Sequence, residues 1–378
     1  MARAPAVQDF EPLPEADRLE GFPHPRETRI LLGHQAAEEM LAAAFAEGRM
    51  HHAWLLAGRA GIGKATLAYR LARHVLARPD ERDPSGSSLE VPFSSTAARQ
   101  VAALSHPGLL VLRRLYDAKS KRFGSAIPVD EVRRLKSFLG LTAGEDSWRV
   151  VVVDSADDLN PNAANALLKS LEEPPRRCLF VLLASEPSGL LPTVRSRCRR
   201  LDLQPLAARP LREAAEAALA AAEMEPPAGD QWDLLERLAA GSVRRALQLA
   251  ATGGLELHQR IAGIFAQLPQ VDWTAAHALA DSLSASAQEQ RYEAFLELLL
   301  DALGHLTRAR ATSRGTPAQV SLATRLMSET SLPQWAAAWE AILREKADAN
   351  ELNLDRKALI MRIFSRLEAV AQSSAAAR

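Results

Sequence analysis

The stretch Gly58-Arg59-Ala60-Gly61-Ile62-Gly63-Lys64-Ala65-Thr66, GRAGIGKAT, decides the fold of the first half of the chain. It follows the apolar string Ala53–Ala57. After it, Leu67, Ala68, Leu71, Ala72, Val75 and Leu76 form one apolar helical stripe. A glycine-rich turn from strand to helix lets backbone N–H groups converge on phosphate, and the helix N-terminus adds positive potential. Against the pattern G-x-x-x-x-G-K-[ST], Gly58, Gly63 and Lys64 are in place, with Gly61 inside the loop and Lys64 able to reach phosphate oxygens. The eighth position is Ala65, which has no hydroxyl to offer Mg²⁺. Thr66 lies about 100° further round the helix and does not take over that role. Phosphate binding survives such a change better than hydrolysis does.

A chain of 378 residues is too long for one ordinary core, so two or three domains are expected. Lys+Arg and Asp+Glu both number 46, and 47% of residues are apolar, which is ordinary for a globular protein and excludes one coated in charge of a single sign. The two cysteines, Cys178 and Cys198, form no disulfide framework and lack zinc-ligand spacing. Asp9, Glu11, Glu15 and Asp17 stand where a secretory signal needs an apolar core, and Glu297 and Asp301 interrupt FLELLLDALGHL. A soluble, cytoplasmic protein with no membrane partner is the expectation.

From Arg29 to about Leu203 helical patterns alternate with near-continuous apolar runs at 53–57, 109–112, 150–153 and 179–183. Runs of that kind predict strands covered on both faces, hence a parallel α/β sheet with helices on both sides. NPNAANALLKSLEEPP predicts a helix with Asn160 as N-cap, Pro161 at its first position and Pro174-Pro175 as its stop. Residues 79–100, rich in Pro, Ser and charge, read as a loop or flexible insertion. Beyond Pro205 the pattern is helical: Ala/Leu-rich segments, then a face of Phe295, Leu299, Ala302, Leu303 and Leu306, and a tail, AQSSAAAR, that should fray.

A second acidic element follows the third strand, RVVVVDSADDL. Asp154 occupies the strand end where a carboxylate contacts the Mg²⁺ shell. The next residue is Ser155, whose hydroxyl is too weak a base to polarise water. Asp157 and Asp158 read as a solvated, helix-capping pair. Two parts of a hydrolytic apparatus are therefore degraded in one chain. Arg195, Arg197, Arg199 and Arg200 on their own read as a solvated basic edge, and Ser242 of GSVRRAL as a helix cap. His51-His52 has no third ligand in sight and reads as structural.

HHAWLLAGRAGIGKATLA, IPVDEVRRLKSFL, RVVVVDSADDLNPNAANALLKSLEEPP and LLPTVRSRCRRLDLQPL together resemble the bacterial DNA polymerase III clamp-loader family of AAA+ proteins. The likeness is strong over residues 28–205, weaker in GSVRRAL, and confined to LNLDRKAL further on. The changes at Ala65 and Ser155 resemble the family's non-hydrolysing delta-prime (δ′) branch rather than its gamma/tau ATPases. The resemblance implies an N-terminal extension (1–27), an AAA+ P-loop α/β domain (28–204), a small helical lid (205–254) and an all-α C-terminal collar (255–378).

It also implies that Arg197 is an arginine finger acting in trans on a neighbour's ATP, and that Arg244 stands at the sensor-2 position. A degenerate nucleotide site would comprise Gly58, Gly61, Gly63, Lys64, Thr66, Asp154 and Arg244. Implied partners are gamma/tau and delta subunits, primed DNA within the complex and, indirectly or weakly, the beta sliding clamp. No cofactor is required, ATP, ADP or phosphate at the degenerate loop stays open, and no zinc or other metal is expected, because residues 79–100 lack the four cysteines that relatives commonly carry. The competing readings are an active gamma/tau-like ATPase motor and a P-loop adaptor outside replication.

Overall fold

The computed structural model describes residues 14–140, 147–352 and 354–376. Strands β1 (Ala53–Ala57), β2 (Leu109–Leu112), β5 (Arg149–Val153), β6 (Cys178–Ala184) and β7 (Arg199–Asp202) form a parallel sheet in the order β2-β5-β6-β1-β7. Strands β3 (Tyr116–Asp117) and β4 (Arg122–Phe123) form a small separate hairpin. The phosphate-loop strand β1 thus lies between β6 and β7, and Trp54 to Ala57 pair with Arg199 to Asp202 in register.

All of β1 and β6 is buried, as their unbroken apolar runs require. Alternate residues serve opposite faces. Leu55, Val151, Val153, Phe180 and Leu182 join a cluster with Val132, Leu135 and Phe138 of α4 (Val129–Gly140) and Leu167 and Leu171 of α5 (Pro161–Glu172). Helix α2 (Lys64–Leu76) packs on β1, β5 and β6 through the expected stripe, with Leu67, Ala68, Leu71, Ala72 and Val75 buried. Each large side chain so buried contributes roughly 1.5–3 kcal/mol. Asn160 caps α5 by accepting from the Ala163 amide at 2.8 Å, with Pro161 at the first position. Helices α1 (Gln35–Ala46), α3 (Thr96–Ala102), α6 (Pro192–Arg195) and α7 (Ala208–Ala221) complete this part.

Residues 82–95 form a loop, as expected of the 79–100 segment, but it is anchored to the domain. Leu89, Val91, Ala97 and Ala98 are buried, the Leu89 amide donates to Glu38, and Phe93 covers the Arg73 guanidinium at 4.7 Å. Four apolar anchors spread through a polar stretch fix it without any periodic signal.

The remaining helices are α8 (Gly229–Ala239), α9 (Val243–Ala251), α10 (Gly254–Gln267), α11 (Trp273–Ser284), α12 (Glu289–Thr312), α13 (Pro317–Leu326), α14 (Leu332–Leu352) and α15 (Arg356–Ala376). The chain divides into two compact units, Met1–Ala228 with Glu236–Leu247, and Gly229–Leu235 with Gln248–Arg378. The second is a helical bundle in which α12 packs on α10, α13 and α14, and α15 on α11 and α14. Phe295, Leu299, Leu303 and Leu306 are buried along α12, as their spacing predicts. Trp335 donates its indole N–H to Ser374 Oγ at 3.0 Å inside the bundle. The tail expected to fray is helical as far as Ala376, held by Ala371 and Ser374, while residues 377–378, like Asp9 and Glu11, lie outside the described residues.

Candidate functional site

The Gly-rich loop joins the C-terminal end of β1 to the start of α2. Gly58 is needed because a Cβ there would sit 2.5 Å from the Leu203 carbonyl oxygen. Gly61 has φ +76°, and its Cβ would lie 2.4 Å from Ser242 Oγ and 2.5 Å from Arg244 Cβ, so the loop and the start of α9 are in direct contact. Ser242 Oγ donates to the Ala60 carbonyl at 2.9 Å and accepts from the Arg245 amide, and the Arg244 amide donates to Gly61 O. Ser242 therefore caps α9 and clips it to the loop.

Lys64 does not extend into open space. Its ammonium donates to Gly58 O at 2.7 Å, Arg59 O at 2.8 Å and Ser185 Oγ at 3.1 Å, which uses all three of its protons. The residue is 8% exposed. Burial lowers its pKa, opposed by the charges of Asp154 and Asp157.

Asp154, at the end of β5, has its Oδ2 shut off from solvent without a hydrogen-bond partner. Burial pushes its carboxyl up to about 7, and the negative charge of Asp17 adds to that against Lys64 and Arg244. Ser155 Oγ lies 2.8 Å from Asp157 Oδ2 and 3.1 Å from Leu183 O, both acceptors for its single proton. Asp157 also accepts from the amides of Ser185 (2.5 Å) and Glu186 (3.3 Å), and Asp158 pairs with Arg114 at 3.0 Å. Asp157 is exposed, as expected of the pair, but it also ties the ends of β5 and β6 together, while the half-buried Asp158 anchors the segment after β2. Short acidic runs look alike in sequence whether they face water or partners distant along the chain.

These groups surround a cavity of about 610 Å³. The loop residues Gly61, Gly63, Lys64, Ala65 and Thr66 line it, with Asp154, Ser155, Ser185 and Arg244. Apolar residues share the lining: Ile30, Leu31 and Leu32, with Leu206, Leu247 and alanines of α7. Asp17 and Phe22, from the segment before α1, complete the wall. Arg244 belongs to the cavity as expected, but its guanidinium donates to the backbone oxygens of Asp17 (3.1 Å) and Arg18 (3.3 Å).

Arg197 does not line this cavity. It lies in the short link between α6 and β7, 34% exposed along its side chain, with Nη2 2.6 Å from Glu172 Oε1 and Nη1 donating to Thr193 O at 2.9 Å. The neighbouring arginines are more than a solvated edge. Arg199 stacks over Trp54 at 4.9 Å and Arg200 pairs with Asp202. The rings of His51 and His52 lie 4.3 Å apart, and both bond to backbone, His52 to Leu171 O. Sequence reasoning missed Ser185, Asp17 and Arg114. None belongs to a local pattern, although Ser185, directly after a seven-residue buried strand, stands where a polar residue must face the sheet's C-terminal edge.

A phosphate loop on the strand between β6 and β7, an acid at the end of β5 and a polar residue after β6 define a P-loop domain of AAA+ architecture. At the positions where a P-loop hydrolase commonly carries a metal-ligating hydroxyl and a water-polarising carboxylate, this chain has Ala65 and Ser155. Residues 33–207 match the family model described as "DNA polymerase III, delta subunit". The chain is 40% identical over 148 residues to DNA polymerase III subunit delta′ of Pseudomonas aeruginosa, covering 39% of this chain and 41% of that one. It is 29% identical over 345 residues to subunit delta′ of Escherichia coli, covering 87% and 92%. Subunit tau of E. coli is 29% identical over 221 residues, 58% of this chain and 32% of that one. The match thus spans under half the length of the P. aeruginosa relative and nearly all of the E. coli delta′ relative. The chain is thus similar to bacterial DNA polymerase III delta-prime subunits, over under half of its length by the family model and over most of it by the E. coli relative.

Proposed function

We propose that this chain is a delta-prime-type stator of a clamp loader. It joins gamma/tau and delta subunits in a ring, turns over no ATP itself, and helps to place a sliding clamp on primed DNA. Its AAA+ domain, helical lid and C-terminal collar, with boundaries near 204 and 254, provide the architecture of that role. Arg197 is its chemical contribution: a permanently charged, planar guanidinium brought to the γ-phosphate in a neighbouring subunit's site, where it stabilises charge developing during hydrolysis. No nucleotide in the chain's own cavity is required.

The observation that carries this reading is the contrast within one domain. Ser155 is bonded to Leu183 O and Asp157 where a water-polarising base would stand, and Ala65 offers no metal ligand, while Arg197 sits outside the cavity on a link between α6 and β7. The similarity to tau keeps an ATPase motor as the reading to test against. The test is twofold. Purified alone, the chain should show no ATP turnover with or without primed DNA; turnover abolished by Lys64→Ala would overturn the stator reading. Reconstituted with gamma/tau and delta subunits, Arg197→Ala should assemble normally but hydrolyse ATP slowly.

A further inference from the structure

The segment before α1, residues 14–28, precedes the region matched by the family model, and no motif in the sequence assigns it a task. It is nevertheless among the most heavily pinned parts of the P-loop domain. Glu15 pairs with Arg26 at 2.6 Å and with Arg113 at 2.7 Å, and Asp17 meets Arg113 at 3.0 Å and the His24 ring at 2.9 Å. Arg26 reaches across to Ala102 O, and the buried Arg73 of α2 donates back to Arg26 O and Thr28 O. His24 is fully buried and Phe22 nearly so. Three titratable groups, Glu15, Asp17 and His24, converge with two guanidinium groups and Tyr69 of α2, whose hydroxyl points at Asp17 from 3.5 Å. The carboxylates that could be mistaken for metal ligands, Glu15 and Asp17 beside His24, are already neutralised by Arg26 and Arg113.

This network holds the segment at the polar end of the cavity. Asp17 is set between Tyr69 on α2 and Arg113 just beyond β2, on the side where β5 ends in Asp154. The carbonyl oxygens of Asp17 and Arg18 take the Arg244 guanidinium, whose own backbone is fastened to the Gly-rich loop. We infer that residues 14–28 are a strap that closes the phosphate end of the cavity to nucleoside polyphosphates. It engages Arg244 through the carbonyl oxygens of Asp17 and Arg18.

Three features agree with closure. The Lys64 ammonium has all three protons committed to the chain's own oxygens, and Arg244 is turned to the strap. Burial alone would raise the Asp17 carboxyl, but the bond and charge of His24, with Arg113, bring it down to about 2, so it carries its negative charge across the working pH range. That charge is spent on His24 and Arg113, which keep the strap seated beside Arg244. The apolar lining residues Ile30, Leu32, Leu206 and Leu247 take no part in the strap's ion pairs. Admission of a polyphosphate thus depends on displacing the strap, and apparent affinity falls by the fraction of molecules in which it is displaced.

The inference rests on the reading that this chain needs no nucleotide of its own, but its test does not depend on assembly. The full-length chain is titrated with ADP and with ATP by calorimetry, beside the isosteric double variant Glu15→Gln/Asp17→Asn, which weakens the pins on Arg26, Arg113 and His24. The variant should bind both nucleotides more tightly, on the order of tenfold. Equal affinity in the two proteins overturns the strap. Hydrogen exchange of the wild-type chain supplies a second readout that needs no variant. As nucleotide occupancy rises, amides of residues 14–28 should lose protection in step, and occupancy with the strap still protected overturns the proposal. If gamma/tau and delta fail to bind the chain while the titrations behave as stated, the stator reading falls and the strap stands.

Discussion

Lys64 and Arg197 are both cations placed by the same sheet, one after β1 and the other before β7, and they are treated in opposite ways. Lys64 is 8% exposed and spends each of its protons on the chain's own oxygens. Arg197 is a third exposed, held by one half-exposed carboxylate and a helix-end carbonyl. A residue kept for chemistry must be able to exchange its partners cheaply. One kept for architecture is saturated, because an unmade bond inside costs about 1–3 kcal/mol. The difference suggests that an inherited catalytic loop can be converted into a structural joint while a peripheral link keeps a transferable charge.

The largest effect should come from removing that transferable charge. In the reconstituted complex Arg197→Ala should lower ATP turnover by on the order of 10³ or more with unchanged assembly on gel filtration; normal turnover would break the contrast at once. Next comes the joint. Gly61→Ala forces a side chain into positive φ and against Ser242 and Arg244, so it should cost about 3 kcal/mol in denaturant unfolding. An unaltered midpoint would show that the contact between loop and α9 does not matter to stability.

Asp154 gives a pH test. Its folded pKa is raised to about 7 from an unfolded value near that of an ordinary Asp. The native state therefore binds more protons between those values, and stability declines as pH rises through that window. Asp154→Asn should then exceed the wild type at pH 8 by on the order of 4 kcal/mol, with the advantage shrinking toward pH 4. An advantage that is independent of pH would remove the carboxylate from the argument. The smallest effect belongs to Glu172→Ala. An exposed pair such as Glu172–Arg197 is worth under about 1 kcal/mol, so stability should barely move and turnover of the complex should not fall. A large loss of turnover would mean that Arg197 is positioned in advance rather than merely parked.

Much of this was legible from residue order. The four runs at 53–57, 109–112, 150–153 and 179–183 are strands because both their faces are covered, which writes an unbroken apolar signal. Asn160 and Ser242 cap the helices that their types predict. Strand β7 was invisible because it is an edge: Arg199, Arg200 and Asp202 are exposed and only Leu201 is buried, so neither alternation nor an apolar run appears. The order of residues 79–100 and of the strap was equally hidden. Both are held by single anchors and by ion pairs such as Glu15–Arg113, 98 residues apart, and such long-range pairing leaves no period in the sequence. In the site, Gly58, Gly61, Gly63, Lys64 and Asp154 could be named from spacing, whereas the direction in which Lys64 and Arg244 point could not. That direction is set by carbonyl groups, which every residue carries.

The parallel pairing of β1 with β7 has a further consequence. Trp54 lies beside Arg199 and Ala57 beside Asp202, so the Gly-rich loop departs from one edge of the sheet while Arg197 arrives at the opposite edge. Three steps of strand hold those edges roughly 10 Å apart, before the links at either end are added. The strand pair acts as a ruler that keeps this chain's arginine from its own loop. In the proposed role Arg197 acts on another molecule's phosphate, so its contribution would have no first-order form: dilution alone would extinguish it, without a single residue unfolding.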